Sequence, residues 1–203
     1  MGKAYQRKDG FYRKAKEAGY RSRASYKLIE LNQRARLFKK GQKVVDLGCF
    51  PGGWLQVASD LTGPSGKVVG IDLKDVEPLN KEGVLIHKGD ITSIENQTQV
   101  LSSLGGKADL LLSDMSAPLT GVSFRDACRS AELAELVLEL SGSLLKNGGA
   151  VVAKVFPSAE ADQVFQNYRG SFGSFKRFKL KSTRGSSSEL YFVGQGFKGL
   201  QNN

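Results

Sequence analysis

Short apolar runs alternating with stretches of helical spacing constrain this chain more than any other feature. Val44-Val45-Asp46-Leu47, Lys67 to Asp72, Val84 to His87, Ala108 to Ser113 and Ala150 to Val155 are runs of four to six residues rich in Val, Leu and Ile. Such runs read as strands buried on both faces, and helices between them imply a mainly parallel sheet covered on both sides. The helices are predicted from about Gly53 to Leu61, near 94–104, over Arg125–Leu145 and at about 160–169. Two last strands, near 174–181 and 189–195, have only the short Ser/Gly-rich link Thr183 to Ser188 between them. A link that short calls for an antiparallel hairpin, here at one edge of the sheet. The expected fold is doubly wound α/β with seven strands, mostly parallel.

Before the first strand, residues 4–18 and 23–37 read as helices: Ala24, Lys27, Leu28, Leu31 and Ala35 recur at helical spacing, with Ser22 as a cap. A length of 203 residues suits one domain. We therefore expect residues 1–42 to be a basic helical extension packed on a core of 43–203. No stretch approaches the ~18 apolar residues of a membrane helix, and the basic first twenty residues lack the apolar core of a signal peptide. Cys49 and Cys128 are too few for a disulfide framework, and no His/Cys cluster suggests a metal site. His87 is the sole histidine, which argues against a histidine-based hydrolase triad. The expectation is a cytoplasmic protein, monomeric because no heptad or apolar stripe marks a dimer face.

The net charge of +10 is unevenly spread. Residues 1–43 carry 14 Lys/Arg against Asp9, Glu17 and Glu30, a net +11, and residues 169–203 carry seven against Glu189, a net +6. The middle, 44–168, is therefore −7. Single surface lysines need no explanation, but two basic ends around an acidic centre point to a polyanion partner, gripped through its phosphates. Tyr5, Phe11, Tyr12, Tyr20 and Tyr26 are interleaved with the N-terminal cations; they serve either packing or base stacking.

The acidic centre contains the clearest ligand signal. Asp46-Leu47-Gly48-Cys49-Phe50-Pro51-Gly52-Gly53-Trp54 runs from a strand through a Gly-rich turn into a helix. In an open α/β sheet that turn lies at the carboxyl ends of the strands, where ligands bind, and glycine allows close backbone approach. Its spacing is neither the dinucleotide G-x-G-x-x-G nor a triphosphate-gripping G-K-[ST] loop. Asp46, Asp72, Asp90 and Asp114 fall at the ends of four successive strands. Any one of them could be a structural cap. Together they suit a nucleoside-type ligand: Asp72 for ribose hydroxyls, Asp90 for an adenine amine. A cationic ligand such as S-adenosylmethionine suits acidic surroundings better than a phosphate-bearing cofactor.

Arg21-Ser22-Arg23-Ala24-Ser25-Tyr26-Lys27-Leu28, Asp46-Leu47-Gly48 through Gly52-Gly53-Trp54, Ser113-Asp114-Met115, Val152-Ala153-Lys154-Val155-Phe156 and Ser188-Glu189-Leu190-Tyr191 occur in that order. Together, over nearly the whole chain, they resemble the FtsJ/RrmJ family of RNA ribose 2′-O-methyltransferases, which have a Rossmann-like fold. The resemblance implies that the family's catalytic Lys-Asp-Lys-Glu tetrad falls on Lys27, Asp114, Lys154 and Glu189, and that donor contacts fall on Gly52, Trp54, Asp72, Asp90 and Asp114. It also implies S-adenosylmethionine as cofactor and ribosomal RNA of the large subunit as partner, with a uridine in the assembled particle as target.

A ribose hydroxyl is a poor nucleophile until deprotonated, and a lysine beside a second cation can be neutral near physiological pH. Lys154 is thus the expected base and Asp114 its orienting partner. Lys27 would hold the hydroxyl, and Glu189 would orient Lys27. The chain departs from the family pattern at Cys49-Phe50, at the proline of Ser116-Ala117-Pro118, and at Ser186-Ser187-Ser188. Three other readings are open: a tRNA anticodon-loop methyltransferase, a non-catalytic RNA-binding assembly protein, and a nicotinamide-dependent oxidoreductase.

Overall fold

The computed structural model describes residues 10–183 and 187–201. Its elements are α1 (Gly10–Glu17), α2 (Ser25–Ala35), β1 (Lys43–Leu47), α3 (Gly53–Thr62), β2 (Lys67–Asp72), β3 (Val84–Lys88), α4 (Ile94–Leu104) and β4 (Ala108–Ser113). They continue as α5 (Ser123–Leu144), β5 (Leu145–Val155), α6 (Ala159–Tyr168), a short 3₁₀ turn (Arg169–Ser171), β6 (Phe172–Phe178) and β7 (Leu190–Phe197). The seven strands form one sheet in the order β3-β2-β1-β4-β5-β7-β6. The first five are parallel; β7 pairs antiparallel with both β5 and β6. The doubly wound α/β fold and its antiparallel edge hairpin are as read from the sequence.

Strand periodicity divides the core in two. Val44, Val68, Leu110, Leu112 and Val152 face Leu28 and Leu31 of α2 and Trp54 and Leu55 of α3. Their sequence neighbours Val45, Val69, Leu111, Val151 and Ala153 face the other side, against α4, α5 and α6. Both faces are covered, so the strands read as continuous apolar runs. The chain turns back between β1 and β4, and the crevice at their carboxyl ends is where such a sheet accepts a ligand.

Differences from the sequence reading are local. β5 begins at Leu145 rather than Ala150, because Lys146-Asn147-Gly148-Gly149 enters the strand through an irregular register opposite Ala108–Leu110. β6 covers 172–178 rather than 174–181, and α5 starts two residues early. Ser22 does not cap α2, whose N-cap is Ala24; its hydroxyl instead accepts from Ala24 N at 3.0 Å, closing the turn before the helix. Residues 4–9 of the first predicted helix and 184–186 of the final link lie outside the described residues. No helix among the described residues is long and apolar enough to cross a membrane.

Helix α2 is fixed to the sheet by fully buried Leu28 and Leu31 and to α3 by Ser25 Oγ, which donates to Gly53 O at 3.0 Å. A Cβ on Gly53 would lie 2.8 Å from that hydroxyl, so glycine permits the close crossing. Replacing Leu28 with Ala removes packing next to Lys27. Denaturant unfolding should show a loss of about 2–5 kcal/mol.

Candidate active site

Four elements bring their functional side chains to one point at the carboxyl ends of the strands. Asp114 follows β4, Lys154 lies near the end of β5, Glu189 immediately precedes β7, and Lys27 comes from α2. Lys154 Nζ donates to the Asp114 carbonyl at 2.5 Å and lies 3.3 Å from Asp114 Oδ1. Lys27 Nζ is 3.7 Å from the same Oδ1 and 2.6 Å from Glu189 Oε1. Thr183 Oγ1 donates to the same Glu189 Oε1 at 3.0 Å. Asp114 keeps 20% of its side-chain surface exposed, whereas Lys154 and Glu189 keep under a tenth. Lys27, Lys154 and Glu189 line a cleft of about 720 Å³ whose other walls include Arg23, Ser116, Leu119 and Phe156.

Tyr191 completes the cluster and has no counterpart among the sequence candidates. It is paired with Lys154 across β5 and β7, so the two side chains share a face. Its hydroxyl donates to Asp114 Oδ1 at 2.7 Å, and its ring lies 5.8 Å from Lys27 Nζ. Burial alone would raise the Asp114 pKa. The Lys27 and Lys154 ammonium groups and the Tyr191 hydroxyl outweigh that and hold it below the ordinary carboxylate value. Burial, then the Asp114 and Glu189 charges, push the Tyr191 phenol well above its usual value, so it remains a donor.

Beside this cluster lies the Gly-rich turn. Gly48 and Gly52 have φ of 70° and 104°. A Cβ on Gly48 would collide with Met115 Cγ, so the turn closes directly against the loop after β4. Arg21 fastens the turn's far side: its guanidinium donates to the carbonyls of Pro51, Glu77 and Pro78 at 3.3, 2.5 and 2.8 Å. Asp72 Oδ2 accepts from Phe50 N at 2.9 Å and Oδ1 from Lys74 N at 2.8 Å, leaving lone pairs on both oxygens for hydroxyl donors. Asp90 is exposed; Gly89 N donates to Asp72 O, which sets it next to the end of β2. Thr92, through its backbone and side chain, lowers the Asp90 pKa.

Trp54 is placed differently from the other donor candidates. Its ring is buried 6.0 Å from that of Tyr191, and its indole N–H donates to Ala24 O at 2.7 Å. The side chain belongs to the layer between α2 and the sheet. What Trp54 offers a ligand is its backbone N–H in the first turn of α3.

Asp46 is the residue whose role sequence reasoning left undefined. It is 1% exposed, and its Oδ2 has no hydrogen-bond partner among the described residues. Burial first, then the Asp114 and Asp72 charges, raise its pKa well above the ordinary value. An orphaned buried acid near two further carboxylates lacks the partner that its charged form needs. Burial, with Asp46 and Asp72 nearby, also raises the Cys49 thiol far above its usual range, which fits a packing thiol. His87 Nε2 shares a hydrogen bond of 2.9 Å with Ser103 Oγ, away from this cluster.

The family model described as FtsJ-like methyltransferase matches residues 20–197. The chain belongs to the FtsJ-like methyltransferase family. Among curated relatives, the "Ribosomal RNA large subunit methyltransferase E" of Methanothermobacter thermautotrophicus is 42% identical over 204 aligned residues, covering 99% of this chain and 97% of that protein. The protein of the same name from Hahella chejuensis is 41% identical, covering 94% and 92%. Among solved structures, a ribosomal RNA methyltransferase of Plasmodium falciparum superposes with a TM-score of 0.76 at 30% identity, covering 89% of this chain and 100% of that one. Fibrillarin of Aeropyrum pernix shares the fold, with a TM-score of 0.57 at 15% identity over 86% of this chain and 75% of its own.

Tyr191→Phe should remove one of the donors that hold Asp114 low. The Asp114 pKa should rise toward its ordinary value of about 3.9, followed by NMR titration. Because its folded value is depressed, Asp114 contributes stability above its unfolded pKa and loses it as pH falls through the folded one. Urea unfolding should therefore show the variant weaker by about 1.5–3 kcal/mol at pH 7, with the deficit shrinking at strongly acid pH.

Proposed function

We propose that this chain transfers a methyl group from S-adenosylmethionine to a ribose 2′-oxygen of ribosomal RNA in the large subunit. Lys154 is the base in this reading, and Lys27, Asp114 and Glu189 complete the catalytic set. The observation that carries it is the convergence of these four side chains, within 4 Å contacts, with Lys27, Lys154 and Glu189 lining one cleft. The names of the relatives, large-subunit ribosomal RNA methyltransferases, support that substrate over tRNA. An assembled tetrad is unexpected in a purely RNA-binding protein, and the glycine spacing is wrong for a nicotinamide cofactor.

The residues present fit the methyl donor. Its amino group and sulfonium are cationic, matching the unpartnered Asp46 and the carboxylates of Asp72 and Asp114. Gly48 and Gly52 let the turn close against Met115 and Arg21, where a Cβ would collide. In this reading Asp72 binds the ribose hydroxyls, Asp90 reaches the adenine edge, and the backbone of Gly52 and Trp54 borders the donor. When bound, the donor supplies a methyl group on a positively charged sulfur.

What the chain supplies is proton transfer and position. Once its ammonium has given up a proton, Lys154 has two N–H donors and one lone pair. Asp114 takes both donors, one on its carbonyl and one on Oδ1, so the lone pair is directed away from Asp114 and toward the cleft. There Lys154 removes the proton of the 2′-hydroxyl. Lys27, held by Glu189, donates to that oxygen and fixes its approach, while Thr183 keeps Glu189 in place. Orientation of this kind supplies a large share of a transfer rate. At the mouth, Arg23 lines the cleft, and Lys14 and Arg23 each lie within 6 Å of the Phe11 ring centre, at 5.9 and 5.7 Å. They are the cations we assign to backbone phosphates near the target, bound by a monomer.

The test is transfer of labelled methyl to undermethylated large subunits, tRNA and free ribosomal RNA. Lys154→Ala should lower transfer to subunits by about 10²–10⁴-fold with donor affinity unchanged, and the label should map to a ribose. Label on tRNA alone would replace the substrate; full activity in the variant would remove Lys154 as base.

A further inference from the structure

The basic N-terminal segment does not form one surface. Arg21, Arg23 and Lys27 lie at the catalytic end of the sheet, whereas Lys39, Lys40 and Lys43 lie at the opposite end, where the parallel strands begin. The crossover helices run against the strands, so α3, α4 and α5 also end there, each with unpaired carbonyls and the negative pole of its dipole. Three lysines meet these helix ends. Lys40 Nζ donates to Asp60 O in the last turn of α3 at 3.3 Å, and Lys107 Nζ to Gly142 O in the last turn of α5 at 2.9 Å. Lys43 Nζ donates to Gly105 O just past α4. A carbonyl fixes an ammonium group without cancelling its full charge.

Helix capping does not account for the rest. Lys39 and Lys67 are exposed, and neither they nor Lys40 have a carboxylate within ion-pair distance among the described residues. Lys67 Nζ joins Lys43 Nζ around Gly105, lying 3.6 and 3.7 Å from where a Cβ there would sit. Lys39, Lys40 and Lys146 line a cleft of about 270 Å³ together with Asp109, Gln42, Gly41, Gly148 and Gly149. Of the carboxylates near this end, Asp109 is paired with Lys146 and Asp60 with Lys81, and Glu82 and Glu139 are exposed. Cations are in excess, several are immobilised, and each ammonium has donors to spare.

We infer that this end of the sheet is a second binding face for RNA phosphates, separate from the catalytic mouth. The inference rests on the large-subunit reading above. Strands of five or six residues at about 3.3 Å per residue separate the two faces by roughly 15–20 Å. That exceeds the reach of neighbouring phosphates, so the faces contact different segments of RNA. A particle with RNA on several sides offers such segments, and a short strand at the active site does not.

The experiment compares wild type with Lys39→Gln/Lys40→Gln/Lys67→Gln, all exposed positions, in the full chain. Unchanged S-adenosylmethionine affinity serves as the folding control. Binding to purified large subunits is measured by sedimentation over roughly 50 to 200 mM KCl, where phosphate contacts dominate the salt response. The variant should bind at least about tenfold more weakly, with the slope of log K against log salt shallower by about 2–3, at roughly 0.7–0.9 for each phosphate no longer neutralised. An unchanged slope and affinity would overturn the inference. The same weakening on deproteinised large-subunit RNA supports it; a weakening confined to intact particles would assign the face to an acidic protein surface and overturn the RNA assignment. Since binding is read directly, a wild type that binds subunits but transfers no methyl counts against the proposed reaction and not against this face.

Discussion

Asp114 is the charge on which the site depends. Its side chain sits between two ammonium groups and a buried phenol, and its backbone carbonyl takes a further donor from Lys154. Two lysines brought this close without it would repel each other in a partly desolvated space. With it, Lys27 and Lys154 are held near one oxygen while each retains a direction toward the cleft. An acid left alone at that depth would favour its neutral form, so the three donors and the carboxylate are mutually necessary. This constraint explains why residues from α2, β4, β5 and the start of β7 must all be in place before any of them is useful.

The same dependence explains the tight attachment of the N-terminal helices. Glu30 accepts from Lys181 N and Ser182 N, both at 2.9 Å, Arg23 donates to Ser182 O at 2.6 Å, and Arg34 donates to Lys179 O at 2.6 Å. These bonds join α2 to the chain leaving β6, some 145 to 159 residues away in sequence. Lys27 is on one side of that seam, and Thr183 and Glu189 are on the other. The seam therefore fixes the 2.6 Å ion pair between Lys27 and Glu189, and the start of α2 with the turn before it forms one wall of the cleft.

Much of this was legible in the sequence, for identifiable reasons. Strands buried on both faces leave continuous apolar runs, so β1, β2 and β4 could be read almost to the residue. The Lys146–Gly149 start of β5 could not, because a glycine pair with exposed polar neighbours has the composition of a loop. The tetrad came from resemblance: Lys27 and Glu189 carry no local signal, and only tertiary structure brings them together. Tyr191, in a strand of Leu, Phe and Val, looks like a core residue until the register places it opposite Lys154. Trp54 shows the reverse, since its motif position suggests a ligand contact while its side chain packs between layers. Net charge by segment was readable, but not that residues 1–43 divide between the two ends of the sheet.

Asp46 shows where local stability yields to binding. A polar side chain at the end of a central parallel strand, 1% exposed and with one oxygen unpartnered among the described residues, weakens the ligand-free fold. Burial and the neighbouring Asp72 and Asp114 drive it toward the protonated form. A cation entering the crevice reverses that preference by supplying the missing partner and offsetting both neighbours. An anionic ligand would instead add a further negative charge beside three carboxylates. The placement of Asp46 therefore suits a positively charged ligand better than a phosphate-bearing one, and sites of this kind are where departures from local consistency are expected.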